Sequence, residues 1–372
     1  MPWYNDLRPA EDPHKQNYSL IFPQFTKAEK LRTIDNLLVL RLYLAENLQA
    51  RKTDRNLLLS SWNIKEFGHL KNRLPESYFY IAEIISNFDL IAVQEVKSGL
   101  KDLEIVMKLL GRDWNYLITD ITEGKDGNSE RFAYLYDTRR VNFTGLAGEI
   151  LLWKDLFTEG EEIRQLKRTP YMTGFRAGWK TFALLNVHLQ PNDDRESRAV
   201  RKREIELLMK ALAEKKKRKT LWTENIVVLG DFNLYKKDSD AVKVFNDNNF
   251  FESDLLQGLN TNTAASEETF DRMFFKKNDY FYAPSKATGE RGGVIDIFEI
   301  VYRLDGYAAY KEEMKKHKLD PDTLSDEAAF EKYFKNNWRK TQLSDHKPIW
   351  VEINIDSSDA FLMDKKRELQ QQ

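Results

Sequence analysis

Cysteine is absent from this chain of 372 residues. No disulfide framework, thiolate zinc site or cysteine nucleophile can therefore exist. Histidine is scarce, at five residues, and net charge is almost nil, with 58 Lys and Arg against 59 Asp and Glu. Without a global basic field, any polyanion would have to be held by local patches. No apolar run approaches a membrane span, and the opening MPWYNDLRPAEDPHK has no stretch like a secretory leader. These absences fit a cytoplasmic protein that does not enter membranes; a secreted form with its leader removed would look the same.

What is present is 41% hydrophobic and 12% aromatic, enough for a sizeable core. Residues 1–56 read as an N-terminal helical extension. Thr26 and Glu29 form a capping-box pattern, with Leu31, Ile34, Leu38, Leu42 and Leu48 roughly on one face of the helix that follows. From 57 to 355 apolar strands alternate with amphipathic segments. Strands are expected at 57–61, 90–96, 131–137, 225–230 and 348–355, with a hairpin over 171–189 that turns near Ala177 and Gly178. Helices are expected at 76–87, at 101–110 with Gly111 as its stop, and at 195–219. Hairpin links among the strands predict mixed rather than purely parallel sheets. The Lys-, Glu- and Asn-rich stretch 306–342 reads as a helical insertion, and 356–372 as a polar, fraying tail.

Five polar clusters sit at the ends of apolar strands: Asn63, Glu95, His188, Asp231 with Asn233, and Asp345 with His346. Carboxylates there are costly to bury unpaired, and a hard divalent cation is their simplest partner, with asparagine oxygens as neutral donors. Few histidines and no cysteine favour Mg²⁺ or Mn²⁺ over zinc. His188 and His346 lie beside carboxylates and suit proton transfer near neutral pH. No G-x-S-x-G elbow, P-loop or dinucleotide-binding glycine pattern is present, which points to water as the attacking group. Taken singly, each cluster has a plain explanation, such as a strand-end turn at Asn63 or a structural histidine at 188. Chance would have to supply all five together.

The runs SWNIKEFG (61–68), DLIAVQEVKS (89–98), NVHLQP (186–191), LGDFN (229–233) and LSDHKP (343–348) resemble the endonuclease/exonuclease/phosphatase superfamily in order and spacing. Within it the chain is most similar to the pancreatic-type deoxyribonucleases. SERFAYLYD implies Glu130 as partner of His188, KRTP implies Arg168 as a phosphate-binding arginine, and TFDRMFF implies Asp271 as partner of His346. VIDIFE resembles a further segment, with Asp296 in a structural role.

The resemblance implies a four-layer αββα sandwich of two mixed sheets, with its site at one end of the packed sheets. It implies in-line attack of water on a phosphodiester. Glu95 would hold the metal with Asn63, Asp231 and Asp345, while Asn233 and Arg168 bind phosphate oxygens. Lys65 and Lys97 stand near the substrate, Lys97 where the pancreatic type has an arginine. Asp231 is also a candidate to take the proton of the water.

The expected partner is nucleic acid, DNA before RNA, for a monomer acting without sequence preference. The alternatives are a phosphatase or lipid phosphodiesterase of the same superfamily, and a catalytically silent nucleic-acid-binding module. The basic run 214–219 reads as a solvated helix end. His14, His69 and His317 read as solvated too. Lys315, Lys316, Lys332, Lys335, Arg339 and Lys340, interleaved with Tyr333 and Trp338, are better placed to hold a phosphate backbone.

Overall fold

A computed structural model describes residues 2–9, 20–48, 52–70, 72–122, 129–160, 165–264 and 267–371. His14 lies outside them. The strands are β1 (Asn56–Phe67), β2 (Leu90–Lys97), β3 (Trp114–Ile118), β4 (Glu130–Asp137), β5 (Asn142–Glu149), β6 (Tyr171–Ala177), β7 (Lys180–His188), β8 (Ile226–Asp231), β9 (Phe250–Glu252), β10 (Asp271–Lys276), β11 (Gly292–Val294) and β12 (Ile349–Asn354). They form two six-stranded sheets, ordered β11-β12-β1-β2-β4-β3 and β5-β6-β7-β8-β10-β9. Both are mixed: β1–β2 and β7–β8 run parallel, and the neighbouring pairs β1–β12 and β8–β10 antiparallel.

Alternation along each strand makes the layers. Leu57 and Leu59 of β1 pack between the sheets, where they join Phe175, Leu184, Val227, Leu229 and Met273. Leu58 and Trp62 turn the other way, toward α2 (Pro75–Ser86) and α3 (Lys101–Leu110), whose far side carries α1 (Lys27–Asn47). On the second sheet Ile226 and Val228 face α4 (Arg195–Lys217) and α5 (Ser239–Asp247). Strands buried on both faces read as continuous apolar runs, which is why VVL and LIAV stood out. The expected αββα sandwich is the one observed. No helix among the described residues is long and apolar enough to cross a membrane.

Three expectations need correction. The capping box at Thr26 and Glu29 forms, and of the expected face Leu48 is buried and Ile34 half-buried, but α1 otherwise buries Leu37, Leu40 and Leu44, and leaves Leu31, Leu38 and Leu42 exposed. Both leucine rows satisfy helical spacing; Arg32 and Arg41, which flank the buried row and pair with Glu76 and Glu83 of α2, fix the rotation. The tail is not frayed. It forms α9 (Ser358–Gln370), with Phe361 against Trp179 and Asp364 accepting from the Tyr280 hydroxyl. In the insertion, which includes α6 (Lys311–His317), α7 (Glu327–Tyr333) and α8 (Arg339–Gln342), Trp338 is 1% exposed and stacks within a cluster of Tyr302, Tyr310 and Phe334. It is therefore core, with no free face for a base.

Candidate active site

Strand register collects the polar clusters. In the second sheet His188 lies opposite Asp231 on β7–β8, and Asp231 opposite Asp271 on β8–β10, one row along one sheet end. Gly230 makes this row possible. A Cβ there would come within 2.1 Å of the Val187 carbonyl oxygen, and its φ of +136° suits glycine. In the first sheet Lys97 lies opposite Glu130. The β2 ladder shifts register between Val93 and Val96, and Glu95, inside that irregularity, has φ +59°. Such a bulge re-aims a side chain, and here the Glu95 carboxylate accepts from Asn63 Nδ2 and the Glu66 backbone N–H. Asn63 sits within β1, which runs on to Phe67, and not at the end of a short strand as its sequence suggested.

The convergence is on one oxygen. Asp231 Oδ2 accepts from Asn63 Nδ2 at 3.1 Å and lies 3.4 Å from His188 Nε2 and 3.6 Å from His346 Nε2. The far nitrogen of each ring is held by a carboxylate: His188 Nδ1 is 2.9 Å from Glu130 Oε2, and His346 Nδ1 is 2.8 Å from Asp271 Oδ2. Two imidazole–carboxylate dyads thus approach a third carboxylate. Asn233 donates its backbone N–H to Asp231 Oδ1 and its side-chain N–H to the Leu189 carbonyl, which fixes the amide. Asn233 has φ +50°, a local strain that the surrounding bonds hold in place.

Cations surround the carboxylates. Glu130 also accepts from Arg168 Nε at 2.8 Å and from Lys97 Nζ at 3.2 Å. Burial opposes its ionisation, but His188, Arg168 and Lys97 outweigh it and hold the carboxyl well below the usual range. Lys65 Nζ donates to Asp345 at 2.7 Å. There too burial works against the charge, and His346 with Lys65 prevails, so Asp345 is lowered. Burial likewise disfavours a charged His346, yet Asp271, Asp231 and Asp345 around it push its pKa well above that of a free imidazole.

The residues fit a hard cation. Asn63 Oδ1 is buried and has no hydrogen-bond partner, while the same amide donates to Glu95 Oε1 at 3.0 Å. An unpaired oxygen beside a carboxylate is a donor set suited to Mg²⁺ or Mn²⁺. Among the described residues, carboxylate and imidazole atoms lie within 4.8 Å of one another in two groups, Glu95 with Glu130 and His188, and Asp231 with Asp271 and His346. Asp345 is in neither, and its Oδ2 pairs with Lys65.

Each expected residue therefore lies in or beside one cluster. Arg168 and Lys97 are engaged by Glu130, and Lys65 by Asp345, so none is an unpaired cation, although Arg168 Nη1 is buried without a partner. Asp296 pairs with Lys347. His69 is exposed and His317 half-buried beside Glu313.

Of the insertion's cations, Lys315 and Lys316 pair with Glu312 and Glu313, and Arg339 lies over the Phe298 ring. Lys335 and Arg339 line a cleft of about 610 Å³ with Asn262 and Lys347, next to His346, but Asp296 and Glu299 line it too. The run 214–219 is a solvated helix end, with Lys216 on Glu224 and Arg218 on Asp155.

Sequence reasoning missed the supports. Ser344 accepts from the backbone N–H of Lys65 and of His346 and donates to the Asn63 carbonyl, tying the SDH loop to β1. Arg201, fully buried on α4, donates to Asp238 and to the Gln190 and Asn192 carbonyls. It thereby locks together the loops that follow His188 and Asp231. The serine beside Asp345 was a usable signal; Arg201 in a charged helix was not.

No family model matches the chain. Deoxyribonuclease gamma from Rattus norvegicus is 24% identical over 67% of this chain and 79% of its own length. A deoxyribonuclease from Thioalkalivibrio sp. (strain K90mix) is 25% identical over 76% of this chain and 72% of its own. The resemblance is to deoxyribonucleases. Among solved structures, an endonuclease/exonuclease/phosphatase family protein from Bacteroides thetaiotaomicron is 16% identical over 81% of this chain and 95% of that one, with a TM-score of 0.48.

Proposed function

We propose that the chain is a divalent-metal-dependent phosphodiesterase, and specifically an endonuclease that cuts DNA without sequence preference. The observation that carries this reading is the pair of dyads, His188–Glu130 and His346–Asp271, whose free Nε2 atoms both approach Asp231. Hydrolysis of a phosphodiester needs one proton taken from water and one given to the leaving oxygen, and two opposed imidazoles meet that need. Glu130 and Asp271 orient each ring and stabilise its charged form. Asn233 binds a non-bridging phosphate oxygen, and so does Arg168 through its unpaired Nη1. Glu95 and Asn63, with Asp231 near, would hold Mg²⁺ or Mn²⁺, which when bound supplies Lewis-acid stabilisation of the charge building on phosphorus. The DNA preference is supported by the two deoxyribonuclease relatives. It is also supported by the segments around Glu130, Arg168 and Asp271.

The decisive assay incubates the protein with supercoiled plasmid and Mg²⁺ or Mn²⁺, with and without chelator, beside His188→Ala. Nicking that requires both metal and the histidine is expected. No nicking, with phosphate released from small monoesters instead, would move the reading to a phosphatase.

A further inference from the structure

Beyond His346 the site continues as a row of rings. The Phe270 ring centroid lies 6.2 Å from that of His346, and the Tyr235 ring meets Phe270 edge-on at 4.9 Å. Phe270 is 9% exposed, whereas Tyr235 is half-buried, so its ring still presents surface to solvent. Among the described residues nothing hydrogen-bonds the Tyr235 hydroxyl.

Tyr235 is also held firmly. It follows Asn233 by two positions, its backbone N–H donates to Asp238 Oδ2 at 3.0 Å, and the next N–H, of Lys236, donates to Glu268 at 3.0 Å. The Arg201 guanidinium, clamped on the same Asp238, lies 5.3 Å from the Tyr235 ring centroid. Its cation polarises the ring that it supports. A rigid aromatic surface, backed by a second ring and a buried cation beside a phosphate site, is what a nucleobase stacks on.

We infer that Tyr235, backed by Phe270, is a stacking shelf for the nucleobase next to the scissile phosphate, making this a subsite for a nucleotide rather than for a bare phosphodiester. The inference rests on the phosphodiesterase reading above. The shelf reads a π-face and no base edge, so it selects for the presence of a base without selecting its identity.

The test uses oligonucleotides with a single cleavable phosphodiester flanked by two bases, or by an abasic tetrahydrofuran on the 5′ or the 3′ side. The wild type is expected to show a KM about tenfold higher when the base is missing on one particular side. Tyr235→Ala should erase that difference by raising KM for the base-bearing substrates, while Tyr235→Phe keeps it. Equal losses on all three substrates in Tyr235→Ala would mean a structural role and overturn the shelf. So would a wild type that cleaves all three alike. A wild type that cleaves none of them, with metal present, would overturn the nuclease reading and the shelf together.

Discussion

Gln94 Nε2 donates to Asn186 Oδ1 at 2.6 Å across the gap between the two sheets, and both side chains are fully buried. Gln94 precedes Glu95, and Asn186 is two residues before His188 on the same face of β7. This one bond therefore ties the strand that carries Glu95 to the strand that carries the His188 dyad. Asn186 also donates toward the Val93 and Ala133 carbonyls, and Gln94 to Ser61 Oγ.

Removing Gln94 leaves Asn186 Oδ1 buried without its donor, and removing Asn186 strips Gln94 of its acceptor across the sheets, leaving it Ser61. Gln94→Leu or Asn186→Leu is expected to cost about 1–3 kcal/mol each, the desolvation penalty of the orphaned group. The double replacement should cost less than the sum, since both ends of the bond go together. Urea melts of the four proteins measure the coupling. Strict additivity would mean that the two residues do not act as a clamp.

If Glu95 and Asn63 hold a cation, it should stabilise the fold whatever the reaction. At a free Mn²⁺ concentration of about 100 times Kd the gain is about 2.7 kcal/mol, because the ion binds the folded form only. The thermal midpoint of the wild type should climb with Mn²⁺, and those of Glu95→Gln and Asn63→Ala should climb much less. Midpoints that climb equally in all three would place the ion elsewhere.

Glu204 on α4 accepts the Gln190 backbone N–H and is 6% exposed. Burial pushes its carboxyl up from 4.5 to about 6, against the pull of that N–H and of Arg168. A raised carboxyl means the folded state holds its proton more tightly than the unfolded chain. Stability from this group is thus full below about pH 4.5 and is lost as pH rises to about 6, by ~2 kcal/mol. Glu204→Gln keeps an oxygen for Gln190 and has no proton to lose, so its stability should be flatter across that window. Urea melts at pH 4.5, 5.5 and 7 decide it; identical slopes in the two proteins would exclude Glu204 as the source.

The layers and the primary site were legible because burial on both faces writes unbroken apolar runs, and strand ends write isolated polar residues beside them. VVLGDFN carries both signals in seven residues. The supports were not legible. Arg201 looks like any other cation in a charged helix until the fold sets Asp238 against it. The α1 face was partly misread because two leucine rows share one period, and contacts distant in sequence, such as Arg32 with Glu76, Arg41 with Glu83 and Asn36 with Tyr80, distinguish them. Trp338 was placed with the lysines by sequence proximity, although its neighbours in space are Tyr302 and Tyr310.

The insertion's charges now divide into those that can meet a phosphate backbone and those already engaged. Lys335 is exposed beside the cleft next to His346. Lys340 is half-buried near Lys65 and Asp345; burial lowers its pKa, and Asp345 opposes that. Lys315 and Lys316 lie on α6, each with its own glutamate. For every phosphate that the protein no longer neutralises, the slope of log Kobs against log salt should shrink by about 0.9. Binding of labelled duplex to His188→Ala, followed by anisotropy from 50 to 200 mM salt, reads this slope without cleavage. Adding Lys335→Ala and Lys340→Ala should weaken binding and flatten the slope, and adding Lys315→Ala and Lys316→Ala should change it little. A slope untouched by the first pair would show that Lys335 and Lys340 do not touch the backbone.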